Sequence, residues 1–303
     1  MKRSLTLALI VVLALVSGTG CDTDSGSKTE APKLRMTVNT NKLPPLKEGF
    51  TYKVWLKVGL EYVASDGFNV TSNGQFTTPF GESRDKSFVL ASDVKDAELV
   101  LISVEGKTGN AVTPSSSIVL AADVMGSEVQ LTTAHALALG SSLAGKSGQL
   151  TIMTPSDTDA SNEAFGVWFL TVSNGVMSPG LTLPALNPGW IYEGWVEVGG
   201  HVYSTGTFSS TNNTDNHQPH SFNDVPQFPG EDFLLNPPTG VTFPLNLGGA
   251  VVTITAEPVP DDSFEPSGIK VLSAQLPSTV QGGAVHQLSG AGAVLPTATV
   301  TIF

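Results

Sequence analysis

The sequence predicts an all-β protein: two tandem β-sandwich domains, immunoglobulin-like or related, after a signal peptide and a flexible tether. Three observations carry this. Beyond residue 33 the chain is rich in Gly, Pro, Thr, Val and Leu and poor in Lys, Glu and Arg, which helices favour. Short runs of alternating apolar and polar residues, bounded by Gly, Pro, Asn and Asp, recur throughout. Finally, the chain repeats itself. The stretch Leu43 to Gly59 aligns without gaps on Leu183 to Gly199 at an offset of 140, and Ile102-Ser-Val-Glu105 matches Ile254-Thr-Ala-Glu257 at an offset of 152.

Pro114 matches Pro266 at the same later offset, and His135 and Leu137 match His286 and Leu288 at 151. Upstream, Met36-Thr-Val38 is paired with Leu170-Thr-Val172. These matches set the copies at 34–155 and 164–303, with 156–163 as a polar linker and a longer middle loop in the second copy. Each copy is large enough to bury a core and is expected to fold alone.

One hairpin is legible in both copies. Tyr52, Val54, Leu56 and Val58 alternate with Lys53, Trp55 and Lys57, so the second set is expected to face solvent. Tyr192, Val196 and Val198 alternate likewise with Glu193, Trp195 and Glu197. Gly199-Gly200 suits the positive φ of a two-residue primed turn, and Gly59 does the same in the first copy. Lys53, Trp55 and Lys57, with Glu193, Trp195 and Glu197, are the candidate interaction faces. They form patches of opposite sign, each centred on a tryptophan that is either an apolar anchor for a partner or, on an ordinary solvated face, covered by a neighbouring loop.

The first 20 residues have the form of a secretory signal: Lys2 and Arg3, an apolar run from Leu5 to Val16, then Ser17, Gly18, Thr19 and Gly20 before Cys21. The run is too short to span a roughly 30 Å hydrocarbon core. Cleavage before Cys21 would leave its amine and thiol for acylation, the arrangement that bacterial lipoprotein signals resemble, although Gly18 stands where a leucine-like residue is usual. Cys21 is therefore the expected lipid (palmitate) attachment site, and residues 21–33 the tether. The expected location is the cell envelope, outside the cytoplasm. As the only cysteine, Cys21 also leaves none for a cysteine zinc site or a catalytic thiol.

Charge is uneven. Residues 33–158 hold 11 Lys plus Arg against 12 Asp plus Glu, while residues 159–303 hold one, Lys270, against 12. Residues 159–303 are thus at −11, nearly all of it on the second copy. That excludes nucleic acid as its partner and favours a cationic or basic one.

Tyr192, Trp195, Gly199, Gly206, Phe208, then Glu257-Pro258 and Pro266-Ser267-Gly268 with Leu272, resemble the extracytoplasmic C-terminal domain of anti-sigma-K factors. The first copy keeps Tyr52, Trp55, Gly59, Phe68, Glu105 and Pro114 but has Gly106 in place of Pro258. The resemblance implies an extracytoplasmic β-sandwich. It does not carry the family's sigma-binding activity here, because only Met1 to Ser4 precede the signal.

No nucleophile elbow, zinc-peptidase motif, phosphate loop or dinucleotide fingerprint occurs, and no cofactor or enzymatic activity is expected. His217 and His220 have ligand-like spacing but read as a solvated loop. Asp157, Asp159, Asn162 and Glu163 read as a soluble linker, lacking the central glycine of a calcium loop. Glu231-Asp232 and Asp261-Asp262 read as acidic turns, and Glu105 and Glu257 as structural hydrogen-bonding groups. The expected function is a non-enzymatic envelope lipoprotein that binds or senses an envelope protein or glycan. The alternatives are a structural spacer, an accessory of sigma-factor signalling without sigma binding, and a hydrolase using the Ser209–Phe233 loop.

Overall fold

The computed structural model describes residues 32–303 apart from 48, 107–110, 141, 142, 144, 223, 224, 260–262 and 291–294. The expected signal, Cys21 and the tether as far as residue 31 therefore lie outside the described residues, as do Asp261 and Asp262. Among the described residues there is no helix, and hence none long and apolar enough to cross a membrane.

In chain order the strands of the first copy are β1 (Arg35–Asn41), β2 (Phe50–Val58), β3 (Glu61–Ala64), β4 (Asn69–Val70), β5 (Phe76–Thr77), β6 (Ser87–Val89), β7 (Leu99–Gly106), β8 (Ile118–Asp123), β9 (Glu128–Thr132) and β10 (Ser147–Ile152). Those that follow are β11 (Gly166–Trp168), β12 (Leu170–Ser173), β13 (Val176–Pro179), β14 (Trp190–Val198), β15 (His201–Phe208), β16 (Gly230–Asp232), β17 (Val251–Pro258), β18 (Lys270–Gln275), β19 (Val285–Gly290) and β20 (Thr297–Ile302).

Two antiparallel sheets of eight strands result, in the orders β3-β2-β7-β8-β9-β20-β1-β6 and β15-β14-β17-β18-β19-β10-β11-β16. The first sheet turns over between β8 and β9, which share only the pair Ala121 and Thr132. Its two halves then close over Val38, Val54, Ile102, Leu131 and Val300. The second closes likewise over Leu150, Val167, Val196, Ile254 and Leu288. Both sets belong to one continuous apolar core, and Pro32–Phe303 forms a single compact unit.

Position by position the two orders correspond, with β10 and β20 exchanged. β10 sits between β19 and β11 in the second sheet, and β20 between β9 and β1 in the first. The boundary drawn between 34–155 and 164–303 is thus crossed by one strand in each direction. The segment read as a linker is built into the second sandwich: Ser156 is buried, its amide donates to Asp232 Oδ2 at 2.9 Å, and its Oγ accepts from the Phe222 amide.

The predicted hairpin is present. Val198 pairs with His201 across Gly199 and Gly200, both at positive φ, while Val58 pairs with Glu61 across Gly59 and Leu60. Two of the expected matches shift. The place of β1 is taken in the second sheet by β11, whereas Leu170–Val172 lies in the separate β12–β13 hairpin. Opposite the exchanged strands, Val129 and Leu131 pair with Val300 and Ala298, as His286 and Leu288 pair with Leu150 and Gly148. His286 therefore corresponds to Val129 rather than to His135. The short motif matches had compared a strand with the loop that follows it.

Candidate binding site

The residues that define the repeat build the same buried chain of hydrogen bonds in each copy. In the first, Trp55 Nε1 donates to Ser103 Oγ at 2.9 Å, Ser103 donates to Glu105, and the Ser115 amide donates to Glu105 Oε1 at 2.8 Å. In the second, Trp195 Nε1 donates to Thr255 Oγ1 at 2.8 Å, Thr255 donates to Glu257, and the Ser267 amide donates to Glu257 Oε1 at 2.8 Å. Tyr52 and Tyr192 donate at 2.8 Å to the carbonyls of Pro44 and Pro184. Burial pushes both phenols well above their ordinary range, so they act as neutral donors. Glu105 and Glu257 thus hold a strand end to the following loop, a role that buried polar groups require to be satisfied.

The candidate interaction faces are corrected by this arrangement. Trp55 is fully buried and Trp195 is 2% exposed, so neither indole is an apolar anchor at the surface. The outer face of β2 is covered by a second small core in which Trp55 packs with Leu99, Leu101, Ala121 and Ala138, the last from the segment after β9. Lys53 lies 5.7 Å from the centre of the Trp55 ring, and Lys57 pairs with Glu98 at 3.2 Å. Glu193 is buried and accepts from Ser204, leaving Glu197 as the exposed acidic member. Alternation placed the tryptophans on the lysine side of the strand correctly. Of the two readings, the one in which a neighbouring loop covers the tryptophan holds for Trp55.

The extra length of the second copy lies between β16 and β17; the connection between β15 and β16 (209–229) is no longer than that between β3 and β6 (65–86) but differs in the side chains it carries. It folds back across the sheet and brings Asp215, His217, His220 and Ser221 to Glu231 and Asp232, both fully buried on β16. Asp215 Oδ2 accepts from the Gly230 amide at 2.9 Å. Glu231 accepts from the Ser221 hydroxyl and from the His220 amide at 3.4 Å. Asp232 accepts from Trp168 Nε1 at 2.7 Å and from the Ser156 amide.

Desolvation pushes Asp215 and Glu231 up to about 8 and raises Asp232 as well, with mutual repulsion adding to the rise at Glu231. The same desolvation lowers His220, which meets the Leu235 carbonyl through Nδ1 at 2.9 Å. So the "acidic turn" at Glu231-Asp232 is a buried edge strand. Sequence reasoning missed it because Pro229-Gly230 signals a turn and two adjacent carboxylates signal solvent. In the first sheet the residue paired with Met36, opposite β20, is Phe88, whereas Val167 in the corresponding place pairs with Glu231.

Above this cluster a polar cleft of about 410 Å³ opens between β15 and the loop, lined by Glu193, Ser204, Thr207, Asn216, His217 and Ser263. The bulge between Glu193 and Trp195 lets Gly206 adopt a φ of 97°, and Asp215 and the His217 carbonyl pack directly on that glycine. A side chain there would fill the space the loop occupies. Among the described residues no three His, Cys, Asp or Glu side chains are arranged to hold a metal. Asp157 and Asp159 instead accept from their own turn, with Asn162 Nδ2 donating to Asp157 Oδ2 at 2.7 Å and Ser161 donating to Asp159.

The fold and this cleft define a class: a double β-sandwich with exchanged strands and one acidic, loop-covered copy. Compared with protein-family models, curated proteins and solved structures, the chain finds no match.

Proposed function

We propose that the chain is a non-enzymatic lipoprotein of the bacterial cell envelope, held outside the cytoplasm through Cys21, whose second sandwich binds a cationic group on an envelope protein or glycan. The observation that carries this reading is that acidity and cleft coincide. Residues 159–303 bear the −11 charge, and within them a polar cleft lined by Glu193 opens beside β15. A concave site lined by carboxylate and amide oxygens in a field of one sign attracts and orients cations. Catalysis is disfavoured because Glu231 and Asp232 are sealed from solvent and engaged by hydroxyl, indole and amide donors.

Calorimetric titration with an oligolysine peptide tests the binding. Saturable heat is expected at low salt, weakened by 0.5 M NaCl and by Glu193→Gln. Equal binding by that variant would sink the assignment. Membrane fractionation tests the anchor: Cys21→Ala is expected to release the protein or leave it unprocessed, and a cleaved Cys21→Ala protein that still sediments with membranes refutes lipid attachment. A spacer is the second reading, favoured by the strand exchange, which welds the two sandwiches into one stiff unit.

A further inference from the structure

We infer that the end of the first sandwich from which the chain leaves towards Cys21 is a membrane-seating surface, with Leu60, Met125 and Phe303 entering the lipid headgroup region. The inference rests on the anchor proposed above and adds which face the anchored molecule turns to the bilayer.

Strand register defines this end. Lys57 pairs with Leu99, and Leu99 with Asp123, so the turn at Gly59-Leu60 and the turn after β8 lie at the same end of the sheet. Glu128 pairs with Thr301, Met36 with Ile302 and Arg35 with Val89, which brings the start of β1 and the ends of β20 and β6 to the same rim. Backbone hydrogen bonds close it: the amides of Val124, Glu98, Ile302 and Val94 donate to the carbonyls of Glu98, Lys57, Ser127 and Lys33 at 2.8–3.0 Å. Lys33, whose amide donates to Asp93 Oδ1 at 2.7 Å, leads the chain off this rim towards Cys21.

Apolar side chains gather on the same rim. Leu60 is 97% exposed, Met125 93% and Phe303 59%, and Leu34 and Val89 are exposed beside them. Single exposed hydrophobics are ordinary, whereas turn tips and strand ends that share one end of a sandwich form a patch. The repeat does not require it. Gly200 stands where the matching turn has Leu60, and the described connection from β18 to β19, residues 276–284, exposes no large apolar side chain.

A lipid surface is the occupant because of where the anchor holds this rim. Ten residues, 22–31, separate Cys21 from Pro32, a reach of at most about 40 Å. The second sandwich joins the opposite end of the first, where Ser117 Oγ donates to the Gly189 carbonyl at 3.0 Å and Trp190 Nε1 to the Ile118 carbonyl at 3.1 Å. The nine residues of β2 set that end about 30 Å from the rim. Tethering gives the rim a high local concentration of lipid, so a patch too small to bind membranes alone still seats. Lys57 pairs with Glu98 at 3.2 Å and Lys95 with Asp93 at 3.8 Å, so apolar insertion carries more of the contact than charge does. Anionic headgroups repel the −11 charge of residues 159–303, which turns the second sandwich and its polar cleft outward.

Tryptophan quenching tests this on the full, lipid-bearing chain in phosphatidylcholine vesicles with and without bromine on the acyl chains. Leu60→Trp and Met125→Trp each add one exposed indole to the four native ones, all of which are buried. His201→Trp, beside the matching turn of the second sandwich, is the control. The emission added at positions 60 and 125 is expected to fall at least twofold on bromination, and that added at 201 to fall by less. Circular dichroism checks that each variant is folded, and Phe303→Trp replaces any that is not. A fall of less than twofold at position 60 or 125, or an equal fall at 201, overturns the inference. Flotation of the wild-type chain scores the anchor separately. If Cys21 proves unacylated, the anchor reading has failed; the free thiol is then coupled to a maleimide-bearing phospholipid, and the same quenching comparison decides the seating.

Discussion

Single residues explain why two copies with common signature positions are not equivalent. Val54 faces the first core, and the aligned position in the second copy is Gly194, where Phe169 and Thr205 take the space a side chain would need. A Cβ on Gly194 would come within 2.7 Å of the Phe169 ring, which itself packs on Phe208 with centroids 6.3 Å apart. Gly194→Val, although it restores the residue of the first copy, is expected to destabilise the protein by about 1–3 kcal/mol through overpacking. Denaturant unfolding measures this, and an unchanged midpoint would mean that Phe169 repacks freely. By contrast, the Trp-to-Glu chains of both copies share one geometry. Buried donors and acceptors leave few ways of being satisfied, so the same residues recur at the same places.

The strand is the scale at which the exchange has consequences. Leu150 belongs by sequence to the first copy but is fully buried in the second sheet, opposite His286. Leu150→Ala is expected to cost about 2–5 kcal/mol, as for other buried leucines. Where the sheet loosens first is the sharper readout. Hydrogen exchange should accelerate in β19 and β11, which flank β10, before it does in β7 and β8. Early loss in β7 and β8 instead would place Leu150 in the first sandwich. The hairpin β12–β13 behaves differently, because Val172, Val176 and Met177 are exposed and little core depends on it.

For the whole molecule, exchanged strands and one continuous core make the two sandwiches a single cooperative unit. Tryptophan fluorescence and circular dichroism should report one coincident transition for the full chain. A 34–155 fragment, deprived of β20, should fail to reach the native signal, in place of the independent folding that the repeat alone suggested. Two separated transitions would refute this coupling. Stability should also depend on pH through the buried carboxyls. Asp215 and Glu231 rise to about 8 in the folded chain, so they stabilise it fully below their unfolded values near 4. That contribution is lost as pH rises through 8. His220, lowered by burial, opposes this slope on the acidic side of neutrality. The melting temperature is accordingly expected to fall between pH 6 and pH 9, and Glu231→Gln should flatten the fall. A wild-type curve that is level or rising over that range contradicts it.

The all-β class, the duplication and the turn at Gly199-Gly200 were determined by the sequence itself, because alternation, turn chemistry and self-similarity are local properties that need no partner to be read. The role of Glu105 and Glu257 was legible for the same reason: both end an apolar strand in a repeated motif. The burial of Trp55 and Trp195, the fate of Glu231-Asp232 and the exchange of β10 with β20 were decided only by the tertiary structure. A strand's period of two says which residues share a face and nothing about what covers that face or which neighbour completes the sheet. Those outcomes depend on long-range contacts such as Val300 with Val38 and Val129, where side chains distant in the chain compete for one slot.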